Sequence, residues 1–106
     1  MGTELTYDQR QYKLMTESLD LYLARKISLG TLIARLEGLV DVLEEPDPNW
    51  RRAFLRKMGV LEDVYAAMLD RQAEQLDVEG ERLVAEATTA LSELIQPMLE
   101  HHISVK

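Results

Sequence analysis

The side chains most able to do chemistry are few in this sequence, and their spacing argues against catalysis. His101 and His102 are adjacent, so on a helix they point to different sides. Metal sites in helical bundles use Glu-x-x-His or histidines four residues apart, and neither pattern occurs. There is no Cys, which excludes disulfides, thiolate metal ligands and a Cys nucleophile. A Gly-x-Ser-x-Gly elbow, a glycine-rich phosphate loop and a serine set against an internal histidine are all missing. Carboxylates are abundant, but acid–base work needs an environment that shifts a pKa, and no pair is marked as buried by its neighbours in sequence. The expectation is a protein that is not an enzyme and that holds no metal and no cofactor.

What remains is charge. The 106 residues carry 12 Lys+Arg and 19 Asp+Glu, a net charge of −7, which disfavours general binding to nucleic acid. The distribution is uneven. Residues 28–47 sum to −4, residues 48–58 to +4, and the two following stretches, 59–75 and 76–106, to −3 and −4. Glu37, Asp41 and Glu44 recur at helical spacing along one edge, with Glu45 and Asp47 just beyond. The basic block is Arg51, Arg52, Arg56 and Lys57, which opposes the dipole of any helix beginning near residue 48. Either the two clusters neutralise each other as solvated ion pairs, or one stays free for a partner. A free acidic edge suits a basic protein; a free basic block suits phosphate or an acidic peptide.

The elements that position these charges read as four helices, near residues 6–26, 28–45, 48–72 and 77–96. Thr6 with Gln9 forms a capping-box pair, Ser28 and Asp77 suit N-caps, and Glu45-Pro46-Asp47-Pro48 is a firm break. Tyr12, Met15 and Leu19 recur on one face of the first segment, with Tyr7, Leu14 and Leu21 as a second row that widens it. Leu29, Leu32, Ile33, Leu36 and Val40 give the cleanest stripe. Trp50, Phe54, Met58, Leu61, Val64, Tyr65, Met68 and Leu69 read as one continuous face of the third segment, and Leu83, Val84, Ala87, Leu91, Leu94, Ile95 and Met98 as the inward stripe of the fourth. Pro97 should end or kink the last helix, leaving residues 101–106 and residues 1–5 as frayed ends. Short connections favour an all-α, antiparallel up-and-down four-helix bundle in a single domain over 1–106, unless the first two segments fuse into one bent helix. The chain shows no signal-peptide pattern and no apolar run of membrane-spanning length, so a cytoplasmic protein away from membranes is expected.

The run from Ile27 to Glu45, with Leu36-Glu37-Gly38-Leu39 at its centre, is followed by Asp47, Trp50 and Leu61-Glu62-Asp63-Val64-Tyr65-Ala66. Over residues 12–95 this resembles a group of small all-helical bacterial proteins, some associated with immunity to intercellular toxins such as those of contact-dependent inhibition. The resemblance implies a compact, acidic binder that masks a toxin domain, often a basic nuclease, and it brings no catalytic residues with it. The expected function is therefore occlusion of a basic protein partner by Glu37, Asp41, Glu44, Glu45 and Asp47. The alternative is a structural or regulatory homo-oligomer, such as a homodimer, paired through an unused apolar helix face of the first or fourth segment.

Overall fold

In the computed structural model residues 5–104 are described, with side chains through residue 100. Four helices follow in order: α1 Tyr7–Leu23, α2 Leu29–Asp41, α3 Pro48–Asp70 and α4 Val78–Ser104. Their starts follow local chemistry. The Thr6 hydroxyl accepts the Gln9 N–H while the Gln9 side-chain oxygen accepts the Thr6 N–H, each at 3.1 Å, so two orphan donors are satisfied together. Ser28 accepts the Thr31 N–H at 3.1 Å, and Asp77 accepts that of Gly80 at 2.7 Å. Asp47 stands at the N-cap of α3 without a side-chain cap bond.

Two helices end in the same way. After α1, Arg25 takes φ 63 and the Lys26 N–H returns to the Leu21 carbonyl; after α3, Gln72 takes φ 55 and the Ala73 N–H returns to Met68. This is the Schellman arrangement with long side chains where glycine is usual. It separates α1 from α2 and excludes one fused, bent helix. It also ends α1 at Leu23, before the cations at Arg25 and Lys26. The second helix stops at Asp41 rather than reaching 45.

Each helix packs against its neighbours in sequence, and α1 closes the ring on α4, with no diagonal pair among the described residues. Arg51 of α3 meets Asp41 of α2, and the side chain of Tyr65 lies against Gly30, so these two run antiparallel. The start of α1 lies beside Pro97 and Met98 of α4, and its end beside Glu81. The result is the expected up-and-down bundle. Met15, Leu32, Leu36, Phe54, Met58, Leu61, Leu91 and Ile95 are fully buried at its centre, each such residue contributing about 1.5–3 kcal/mol. Tyr7 and Leu14, expected to widen the inward face of α1, are instead exposed at 37% and 45%. Tyr12, Met15, Ser18 and Leu19 already fill the arc that α1 turns toward its neighbours.

The fourth helix corrects another expectation, since it continues through Pro97 to Ser104. Proline lacks the N–H that would reach the Glu93 carbonyl. One residue on, the Leu94 carbonyl accepts the indole N–H of Trp50 at 2.7 Å. A side-chain donor from α3 thus serves the backbone where the ladder is weakened. Trp50 is buried as expected, edge-on to Tyr12 at 5.2 Å and stacked on Phe54 at 5.0 Å. The helical backbone covers positions expected to fray, while the side chains of His101 and His102, and residues 1–4, lie outside the described residues.

Trp50→Phe keeps a ring in the core but removes the indole bond to the Leu94 carbonyl, and should lower stability by about 0.5–1.5 kcal/mol in urea denaturation. Gly59→Ala should do the opposite. Nothing lies within 4 Å of a Cβ at Gly59, so the variant should gain about 0.5–1 kcal/mol from helix propensity alone.

Candidate functional site

The best-organised polar feature lies where α1 begins, the α2–α3 connection passes and α4 nears its end. Asp8, in the first turn of α1, holds that connection by two backbone bonds. Its Oδ1 accepts the Glu44 N–H at 2.8 Å and its Oδ2 accepts the Glu45 N–H at 2.9 Å. Both amides follow the last turn of α2, so a carboxylate supplies acceptors that the broken helix cannot.

Beside this clasp opens a groove of about 960 Å³. Tyr7, Tyr12, Pro97 and Met98 form its apolar lining, and Asp8, Glu44, Glu45 and Asp47 contribute carboxylates. The Tyr12 hydroxyl is pushed up to about 12, chiefly by burial and further by the charge of Asp8, so it stays protonated at neutral pH. Arg10 lies 5.9 Å from the ring centre of Tyr7, at the limit of a cation–π contact. Glu44, Glu45 and Asp47 form no ion pair with any described residue.

Of the five acidic residues expected to form one edge, these three share the groove. Glu37 and Asp41 do not join them, because helical spacing stops carrying the register once α2 ends at Asp41. They lie instead on the flank of α2 that meets α3. Asp41 pairs with Arg51 at 3.7 Å, with both side chains largely in water, an interaction worth little. Glu37 stands against Glu62 of α3, and this contact, then partial burial, then the charges of Glu37 and Asp63, raise the Glu62 carboxyl to about 6. In the basic block, Arg52 bonds to the Asn49 side chain. Arg52, Arg56 and Lys57 make no ion pair with a described residue. Mutual neutralisation of the two clusters therefore reaches one cation of four.

Spacing marks neither Asp8 nor Glu62, and it reads Tyr7 as part of an inward row rather than as a groove residue. An acid in the first turn of a helix ordinarily reads as a partner for the dipole, and nothing local reveals a bond to amides 36 and 37 residues away. Among the described residues no three His, Asp or Glu converge to hold a metal ion, and no helix is long and apolar enough to cross a membrane. Comparison with protein-family models, curated proteins and solved structures finds no match.

The Glu37–Glu62 contact has a pH signature. A carboxyl whose pKa is raised from 4.5 to about 6 on folding contributes stability that is full below 4.5 and lost as pH rises through 6. Glu62→Gln should remove that dependence, so that its urea midpoint changes less than the parent's between these two pH values.

Proposed function

We propose that this protein is a small acidic binder that seats a basic protein partner at the groove bounded by Asp8, Glu44, Glu45 and Asp47. The observation that supports this reading most is the free state of three carboxylates held beside a tyrosine-lined groove. Charges without internal partners raise the rate of encounter with a basic surface and penalise acidic competitors. Tyr7, 37% exposed, supplies the aromatic area that anchors an interface once the charges have oriented it, with the buried Tyr12 ring beneath the groove. Glu37 and Asp41, farther along α2, contribute to the field rather than to the groove. Occlusion requires no catalytic group: a partner whose working surface is basic is inhibited when that surface is covered. The resemblance to toxin-immunity proteins gives the partner its class, a basic toxin domain met in the cytoplasm.

Immobilised protein should retain a basic protein from a lysate of its native cell, with retention falling as salt rises. Glu44→Lys combined with Asp47→Lys should weaken that binding at least about tenfold, or 1.4 kcal/mol, with the helical circular dichroism unchanged. Equal binding by the reversed variant, or binding indifferent to salt, overturns this reading.

A further inference from the structure

The outer face of α3 carries features that the single chain does not use. Gly38 and Gly59 both sit within helices, and a Cβ at either would meet nothing within 4 Å. Gly30 is different, since a Cβ there would lie 2.7 Å from the Tyr65 hydroxyl oxygen. Internal packing thus accounts for Gly30 and leaves the other two as weak points, each costing about 1 kcal/mol relative to alanine. Leu55 is 39% exposed nearby on α3. Arg52 and Arg56 lack an acidic partner among the described residues, while Glu37 and Glu62 press like charges together.

Their order along α3 is informative. Arg52 and Arg56 precede Gly59, and Glu62 and Asp63 follow it. Arg56 and Glu62 each lie three residues from that glycine, about 4.5 Å along the axis on opposite sides. Charge of opposite sign at equal distances from one point becomes self-complementary after a two-fold rotation about that point. A closed pair of identical subunits makes such an isologous contact.

We propose that the outer face of α3 is a self-association surface, on which a second copy of this chain docks about a two-fold axis near Gly59, setting Arg56 of each copy against Glu62 of the other. The bare backbone at Gly59 lets the two α3 helices approach closely, and Leu55 gains apolar cover. Glu37 then faces an added cation instead of a lone carboxylate. A partner without this symmetry has no use for the matched spacing. The proposal draws on none of the groove carboxylates, so it stands apart from binding of a basic protein.

Sedimentation velocity across a concentration series of the full chain tests it. The parent should form a dimer at micromolar to submillimolar concentration. Arg56→Glu and Glu62→Arg should each weaken dimerisation at least tenfold, while retaining the parent's helical circular dichroism. The double exchange, or an equimolar mixture of the two single variants, should recover it. Gly59→Gln should block association while leaving the helices formed. A parent monomeric throughout, charge variants that associate like the parent, or failure of the double exchange to recover dimerisation overturns the proposal.

Discussion

The bond from the Trp50 indole to the Leu94 carbonyl is the constraint on which most of this bundle depends. It links α3 to α4 where Pro97 has removed a rung of the helical ladder. The same ring meets Tyr12 of α1 and stacks on Phe54, so one side chain ties three of the four helices. A buried donor of this kind specifies register as well as stability, because sliding α4 by one residue would leave the indole N–H without its acceptor. With α4 continuing past the proline, Pro97 and Met98 form one wall of the groove.

The opposite wall depends on Asp8. Its two bonds to the Glu44 and Glu45 amides make the α2–α3 connection part of a defined surface. The carboxylate that serves the backbone is thereby separated from those left without an internal partner. Asp47 reinforces that division, since it occupies a capping position without making a capping bond. The two faces of the molecule consequently differ in kind. The groove joins one sign of charge to an aromatic lining, whereas the outer face of α3 changes sign about a glycine.

Much of the fold was legible because it is local. Thr6, Ser28 and Asp77 cap the helices their sequence context suggests, and the core stripes of α2, α3 and α4 face inward with the periodicity that revealed them, save Leu69, which is 52% exposed in the last turn of α3. Pro97 misled because a proline removes one backbone bond without having to end the helix, and α4 runs on to Ser104. Leu14 misled because an apolar residue on the flank of a helix is inward or outward according to how closely the neighbours approach. The candidate site was half legible: Glu44, Glu45 and Asp47 advertise themselves by charge, but their assembly requires Asp8. The split between those residues and Glu37 with Asp41 follows from a helix end that falls four residues early. No periodicity argument resolves boundaries so finely.

The ring in which every helix packs on its sequence neighbour also bears on the order of events during folding. Hairpins α1–α2 and α3–α4 close short loops, and their contacts form at low entropic cost. Docking α1 on α4 spans most of the chain and is the expensive step. The groove draws on α1, on the middle connection and on the far part of α4, so it exists only after that closure. Partly folded molecules carry the same carboxylates, but dispersed, and a basic partner would find them gathered only on a chain that has finished folding.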